Sequence, residues 1–120
     1  MVATTRNQEY KVAMLHLTGV IDLSRMMRVR DAVVHLVGEG YFQIILDWRR
    51  VRGLRGKSLE LLTTTLCRLR RFEGDIVLLG LSQELVATFQ AAGAYAFFEH
   101  YDDEAEAWRW GRLKRMALVG

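Results

Sequence analysis

The chain contains no proline and only one cysteine among its 120 residues. Without proline it has no X-Pro bond that could adopt the cis form and no proline-rich linker. A single cysteine excludes an internal disulfide, which fits a reducing compartment. No apolar run reaches the roughly 20 residues that a membrane span needs, and residues 1–11 lack the layout of a signal peptide. These absences predict a cytoplasmic protein with no membrane span.

Length and charge restrict the function classes only weakly. A chain of 120 residues, 51% hydrophobic and 26% charged, is expected to form a single globular domain over residues 1–120. The net charge is +3 and the isoelectric point is about 9.4. Such a mild basic excess is weak support for a nucleic-acid partner, so we treat that partner as unfavoured.

Apolar periodicity predicts a strand-rich first third. Val2–Arg6 has the pattern of a short edge strand, and Lys11–Thr18 is apolar on both faces, as in a central strand. Gly19 is expected to bend the chain. Asp22 and Ser24 are candidate N-caps of a helix that extends to about Val37.

The remainder alternates between strands and helices. The apolar run Phe42–Leu46 predicts a buried strand ended by Asp47, followed by a basic loop over residues 48–57 and a helix that starts at Ser58. Three later features are the strand Ile76–Leu79, the helix capped by Ser82 and the short strand Ala96–Phe98. A final helix, capped by Asp102 or Asp103, is expected to extend through Ala105, Trp108, Leu113 and Met116. Trp108 and Trp110 cannot both face the core, because residues two apart on a helix point roughly 200° apart.

This alternation predicts an α/β fold. We expect a mixed, mainly parallel sheet of four or five strands with about four helices. A hairpin of the first two strands would place an antiparallel strand at the sheet edge. We also expect Asp22, Asp47 and Lys57 to lie at one edge of the sheet, since the first two follow strands.

No residue pattern in the sequence indicates catalysis or a bound cofactor. His16 and His35 are expected to be packed or capping histidines, and His100 lies beside carboxylates whose adjacent positions do not suit a metal. Cys67 is expected to be a small apolar filler inside the second long helix. We therefore predict no catalytic residue, no metal and no cofactor.

Five segments of the chain form a set with a characteristic order. They are Leu15–Asp22 (LHLTGVID), Ile44–Asp47 (IILD), Ile76–Ser82, Phe89–Gly93 and Phe98–Ala105. Together they resemble the STAS domain family, named for sulfate transporters and anti-sigma factor antagonists. Their order and spacing cover nearly the whole chain. The resemblance implies a non-catalytic, protein-binding domain that acts in partner switching or as a signalling scaffold, as bacterial anti-sigma factor antagonists do in transcription regulation.

The sequence departs from the family at its phosphorylation switch. Regulated STAS antagonists carry Asp-Ser-Ser-Gly or Asp-Ser-Thr-Gly at the start of the second helix, and that motif falls on Arg55, Gly56, Lys57 and Ser58. Lys57 stands where the family has its phosphorylated hydroxyl. We therefore expect this domain not to be regulated by phosphorylation at the usual position.

The basic segment has three possible explanations. Arg55 and Lys57 either extend into water, where the loop has lost its switch, or pair with Asp22 or Asp47. The third explanation is an anion site, in which several cations of the segment hold a phosphate or nucleotide near a helix N-terminus. The anion-binding alternative uses the cations of residues 49–57, namely Arg49, Arg50, Arg52, Arg55 and Lys57.

The favoured interpretation is a contact surface for a protein. The family implies that this surface includes the start of the second long helix and the loops after the first two parallel strands. Its expected residues are Asp22, Leu54, Arg55, Gly56, Lys57, Ser58 and Thr64. Expected partners are an anti-sigma factor or kinase, another STAS protein, or a second copy of the chain in a homodimer.

Overall fold

A computed structural model describes residues 2–119 of the chain as a five-stranded sheet with four long helices. The elements are β1 (Ala3–Asn7), β2 (Val12–Ile21), α1 (Leu23–Gly38), β3 (Gln43–Leu54), α2 (Ser58–Arg70), β4 (Asp75–Leu79), α3 (Gln83–Ala91), β5 (Glu99–Tyr101) and α4 (Glu104–Val119). The strands lie in the order β1-β2-β3-β4-β5, and only the β1–β2 pair is antiparallel. The predicted mixed, mainly parallel sheet with an antiparallel edge is confirmed.

The sheet is covered on both faces, which explains why its central strands are apolar throughout. On one face Leu15 of β2 and Leu46 of β3 join the larger core beneath α1, α2 and α3. On the other face Met14 and Ile45 join a smaller core beneath α4. Successive side chains of a strand point to opposite faces, so each central strand contributes to both cores.

The predicted basic loop is mostly strand. β3 continues from Gln43 to Leu54, and it pairs with β2 as far as Ile21–Leu54. Trp48 is 1% exposed and packs edge-on against Phe89, with their ring centroids 5.4 Å apart. The expectation of a loop over residues 48–57 is therefore wrong before residue 55, because an indole buried in the core keeps the chain in the sheet.

Asp47 does not end its strand. It is level with His16 of β2 and with Leu79, the last residue of β4. Beyond that level β2 and β3 continue as a two-stranded extension, with irregular register around Thr18 and Gly19. Asp22 and Lys57 follow the far end of this extension, so the expectation that Asp47 shares their edge is wrong.

Two helix starts follow the predicted capping pattern. The Asp22 carboxylate accepts a hydrogen bond from the Arg25 amide at 2.8 Å at the start of α1. The Ser82 hydroxyl accepts from the Leu85 amide at 3.2 Å at the start of α3. Such side-chain acceptors satisfy amides that have no partner within the helix.

The last quarter of the chain corrects one expectation. Residues Tyr95–Phe97 form a short 3-10 helix rather than a strand, and the strand is β5, which pairs with Val77–Leu79. The predicted final helix is present as α4 and includes Ala105, Trp108, Leu113 and Met116. Its buried residues include Ala107 and Trp110, whereas Trp108 is half-buried.

Gly111 explains why α4 turns this face inward. It is buried, and a β-carbon built on it would lie 2.5 Å from Cγ1 of Val12. The helix backbone therefore lies directly on β2, which only glycine permits at this position. This close packing of α4 on β2 places the face of α4 that carries Ala107 and Trp110 against the sheet.

We expect Gly111→Ala to lower the free energy of unfolding by about 1–3 kcal/mol, the usual cost of overpacking a core. Alanine at an open helical position would instead stabilise by up to about 1 kcal/mol. Urea denaturation followed by circular dichroism measures the change. Gly38→Ala is the matched control, because nothing lies within 4 Å of its added β-carbon. If the loss of stability comes from a clash with Val12, then Val12→Ala should lower the free energy of unfolding less in the Gly111→Ala background than in the native chain. Purely additive effects of the two substitutions would contradict the clash.

Candidate functional site

The start of α2 differs from the capped starts of α1 and α3. Lys57 occupies the N-cap position without a side-chain hydrogen bond to the helix, and it is exposed. Gly56 has a φ of +65°, which suits glycine. The Arg55 amide donates to the carbonyl of Ile21 at 2.9 Å and so fixes the loop to the end of β2, next to Asp22. The sharp turn therefore places the Lys57 ammonium at the surface of the helix start.

Ser58 is oriented in the opposite way. It is 1% exposed, and its hydroxyl oxygen has no hydrogen-bond partner among the described residues. A neighbouring residue on a helix points about 100° away, so a shift of one position moves a side chain from the surface into the core. The only hydroxyl within the aligned switch motif is thus enclosed by protein.

A groove of about 630 Å³ lies between α2 and α3, next to this helix start. We refer to it as the α2–α3 groove. Its lining residues are Leu54, Gly56, Lys57, Ser58, Leu59, Glu60, Thr63, Thr64, Cys67, Thr88, Ala92, Gly93, Ala94 and Phe97. Phe97 is 47% exposed, so the groove presents apolar surface beside the Lys57 ammonium.

The structure brings most of the predicted contact residues together at this groove. Leu54, Gly56, Lys57, Ser58 and Thr64 all line it. Asp22 and Arg55 do not line it, although the backbone bond between Arg55 and Ile21 places them beside its end.

Sequence reasoning missed the opposite wall of the groove and misplaced one residue of α2. Cys67 was expected to be a buried filler, but its side chain is exposed and lines the groove. The spacing of Thr63 and Cys67 by one helical turn was the available signal for a shared face. Phe97 could not be predicted, because it belongs to a segment that was assigned to a strand.

The five cations proposed for one anion site are divided between different parts of the surface. Arg49 and Arg50 line a second cleft, whereas Lys57 lines the α2–α3 groove. Arg52 and Arg55 line neither. Between residues 2 and 119, neither Arg55 nor Lys57 forms an ion pair, so the proposed pairing with Asp22 or Asp47 is wrong.

Asp47 instead forms the centre of a separate polar cluster. Its carboxylate accepts from Nε and Nη2 of Arg49 at 2.9 and 3.0 Å, and lies 2.9 Å from Nδ1 of His16. Nε2 of His16 is 2.8 Å from the Thr5 hydroxyl. Arg49 also donates to Glu104 at 2.8 Å, which connects β3 to α4. His16, expected to be packed or capping, therefore connects β1 to β3 through its two ring nitrogens.

The cluster favours the ionised form of the Asp47 carboxyl group. Burial of Asp47 opposes its ionisation, but hydrogen bonds from Arg49 and His16 outweigh that effect and lower its pKa from 3.8 to about 2. The hydrogen bond to Asp47, followed by the one to Glu104, raises the pKa of Arg49 above its ordinary value. The hydrogen bond from Arg49, followed by the one from Trp108, lowers the pKa of Glu104. These groups stay ionised at neutral pH and connect β3 to α4.

A family model described as MlaB, STAS domain, matches residues 4–97 of the chain. The chain belongs to the STAS family. The match includes β1 to α3 and the short 3-10 helix, and therefore both walls of the α2–α3 groove. Membership of the STAS family confirms the resemblance noted in the sequence. No curated protein matches significantly.

Solved structures reproduce the fold at low sequence identity. An NMR structure of a Thermotoga maritima protein has a TM-score of 0.81 and 17% identity, and the match covers 93% of this chain and 89% of that one. An anti-sigma factor antagonist from Mycobacterium paratuberculosis has a TM-score of 0.77, 17% identity and 93% coverage of both chains. The phosphorylated form of SpoIIAA from Bacillus has a TM-score of 0.68 and 17% identity, with 91% and 98% covered. At this identity the likeness demonstrates a common fold.

We expect Asp47→Asn to lower the free energy of unfolding by about 2 kcal/mol at pH 7, from the depressed pKa. A group whose pKa is lower in the folded state stabilises above its unfolded pKa, and that contribution is lost as pH falls through the folded value. The deficit of the variant should therefore shrink between about pH 4 and pH 2. Urea denaturation across this range measures it. Asp31→Asn is the control, because Asp31 forms only an exposed pair with Arg30; a deficit independent of pH would contradict the assignment.

Proposed function

We propose that this STAS domain works by binding a protein, in partner switching or as a signalling scaffold, and without catalysing a reaction. The observation that carries the proposal is the α2–α3 groove, an open apolar surface with an exposed ammonium at its end. Its partner-binding residues are Leu54, Gly56, Lys57 and Thr64, with Asp22 and Arg55 beside them. Ser58, the remaining residue of the predicted set, is 1% exposed and offers no side chain to a partner. The likeness to an anti-sigma factor antagonist supports the same class of function.

The partner surface should be acidic. Arg55 and Lys57 have no carboxylate partner among residues 2–119, and they flank the positive end of the α2 dipole. Nearby, Glu60 contributes one negative charge to the groove lining. A cationic rim around an apolar centre is the usual arrangement of a protein contact surface and favours association with negative charge.

The composition of the groove supports binding rather than catalysis. The lining includes Cys67 and Glu60, but no histidine that could activate a nucleophile. The hydroxyls of Thr63 and Thr64 donate to the carbonyls of Leu59 and Glu60 within α2, both at 2.9 Å. These hydroxyls are thus engaged by their own helix.

The same geometry leads us to infer that the family's phosphorylation switch does not operate here. Lys57 has no hydroxyl, and Ser58 is 1% exposed. A kinase would have to unfold the start of α2 to reach the Ser58 oxygen. SpoIIAA, by contrast, is known in a phosphorylated form.

We expect no phosphate to be added to this helix start by an anti-sigma factor kinase and ATP, because no accessible hydroxyl stands at position 57. Intact-mass spectrometry measures the addition. Lys57→Ser, which places a hydroxyl at the exposed position, tests whether the lysine is the obstacle. A stoichiometric phosphate mapped to Ser58 in the native chain would contradict the proposal.

The single cysteine offers a direct way to identify what occupies the groove. Cys67 is exposed and is the only thiol, so a maleimide-linked photocrosslinker would react there alone. Crosslinking in an extract of the native cells, followed by mass spectrometry, identifies candidate partners. A Cys67→Ser chain with Gln8→Cys carries the same probe on the exposed β1–β2 turn. Partners captured by both chains are nonspecific, and a crosslink to a second copy would indicate the homodimer.

We expect Arg55→Ser with Lys57→Ser to slow association with a partner identified in this way and to reduce its dependence on salt. Exposed rim charges act mainly on the association rate, and salt screens them. Stopped-flow or surface plasmon resonance at two salt concentrations measures the rate. The control variant is Arg68→Ser with Arg71→Ser. It removes the same amount of positive charge at the opposite end of α2, where both residues are exposed. Equal association rates for the native chain and the Arg55/Lys57 variant at low salt would exclude the basic rim as the interface.

A further inference from the structure

A second cleft, of about 750 Å³, lies where α1 meets the irregular part of the β2–β3 pair. We refer to it as the arginine cleft. It shares no lining residue with the α2–α3 groove. Its lining residues are Val2, Ala3, His16, Leu17, Thr18, Ile21, Arg25, Arg28, Val29, Asp47, Arg49 and Arg50. Four arginines and one aspartate therefore face the same space, which leaves it strongly positive.

Only one of these arginines is neutralised by the protein. Arg49 is bound by Asp47 and Glu104. Arg25 donates to the carbonyl of Val20 at 3.1 Å, a contact that carries no net negative charge. Arg28 and Arg50 have no hydrogen bond or ion pair to any side chain among residues 2–119. Three guanidinium groups therefore remain available in the cleft.

The fold gathers these charges from separate elements rather than from one run of sequence. Arg25 and Arg28 lie one helical turn apart in the first two turns of α1, where the helix dipole is positive. Arg50 comes from β3, at the register shift opposite Thr18. The Asp22 carboxylate caps this helix start and offsets part of the positive charge there. Asp22 does not line the cleft, however, and the one carboxylate in the lining, Asp47, is engaged by Arg49. This arrangement therefore favours a negatively charged ligand.

The remaining walls indicate the size and character of that ligand. Thr18 and His16 add polar groups, whereas Leu17, Ile21 and Val29 form an apolar part of the lining. The volume falls in the range of pockets that hold small molecules. Planar guanidinium groups match the oxygens of phosphate, which they bind in a bidentate manner.

We propose that the arginine cleft binds a small molecule that bears a phosphate group, with Arg25, Arg28 and Arg50 around the phosphate. The apolar part of the lining receives the organic portion of the ligand. The site shares no lining residue with the α2–α3 groove, although Ile21 of the cleft pairs with Leu54 of the groove. It differs from the anion site predicted over residues 49–57, because its arginines come from both α1 and β3.

The test uses isothermal titration calorimetry at low salt with AMP, glycerol 3-phosphate, adenosine and citrate as probes. We expect the two phosphate esters to bind and to raise the melting temperature, adenosine not to bind, and citrate to bind more weakly. Arg28→Gln with Arg50→Gln should weaken binding of the phosphate esters by at least about tenfold, as expected for the loss of charge-assisted hydrogen bonds. Both side chains are exposed, so the variant should keep the native circular dichroism spectrum.

Two control variants locate the effect. Arg68→Gln with Arg71→Gln removes the same net charge at the end of α2, and Arg55→Gln with Lys57→Gln removes it at the α2–α3 groove. If the phosphate binds in the arginine cleft, both control variants should keep a phosphate affinity within about twofold of the native value. Nonspecific attraction to positive charge would instead weaken equally in all three variants. An equal loss in all three would overturn the proposal. So would the absence of binding at roughly 10 mM ester, above the usual range of metabolite affinities.

The source of the phosphate is decided by a second arm. Flotation with phosphatidic acid vesicles, against phosphatidylcholine vesicles, tests a lipid headgroup. Binding to phosphatidic acid that requires Arg28 and Arg50 supports the same phosphate chemistry on a lipid. Binding of polyglutamate without any binding of phosphate esters or phosphatidic acid would overturn the proposal in favour of an acidic peptide. None of these outcomes depends on whether the Arg55 and Lys57 variants lose partner binding. Failure of the protein-binding proposal can therefore be distinguished from failure of the phosphate proposal.

Discussion

The long parallel pairing of β2 with β3 determines the position of every candidate site in this molecule. The two strands remain paired from Val12 and Gln43 to Ile21 and Leu54, beyond the end of β4. The backbone bond from Arg55 to Ile21 then holds the following turn against the end of β2. The start of α2 and the α2–α3 groove are therefore positioned by the sheet, and the irregular register within the same pair opens the arginine cleft.

A buried carboxylate stabilises this pairing at its middle. Asp47 is 6% exposed, and an isolated charge in such a place would be strongly unfavourable. His16 on β2 and Arg49 on β3 supply the compensating hydrogen bonds, and Glu104 attaches the cluster to α4. The cluster also occupies Arg49, which leaves the other arginines of the cleft without a carboxylate. The Asp47–Arg49 ion pair therefore stabilises the fold, whereas Arg25, Arg28 and Arg50 remain available to a ligand.

The order of the elements and two of the helix caps could be predicted from the sequence because local chemistry decides them. Asp22 and Ser82 precede amphipathic segments, and both accept the expected amide hydrogen bonds. The segment after Asp47 could not be recognised as a strand. Trp48 and Val51 belong to the same core although they are three positions apart. An irregularity in the strand register permits this, and it removes the alternating pattern on which a sequence prediction depends.

The candidate site was predictable in part for a related reason. Residues of the second long helix follow from their position in the family motif, and Lys57 and Thr64 do line the groove. The facing wall comes from the α3 region and from Phe97, whose approach depends on tertiary packing. The arginine cleft was even harder to predict from the sequence. Arg28 and Arg50 are distant in sequence, and they line the same cleft only because β3 continues past Asp47.

The enclosed hydroxyl of Ser58 has a consequence for how this domain could change during evolution. A serine already stands one position from the place where related domains accept phosphate, which suggests that regulation could be regained by a small change in the chain. The helix makes that route ineffective, because the Ser58 side chain is oriented into the core. A serine or threonine in place of Lys57 would present a hydroxyl at the position where related domains accept phosphate, and it would remove a positive charge in the same step. Gain of a phosphorylation site at this position and loss of one of the two rim charges are therefore linked in a single codon.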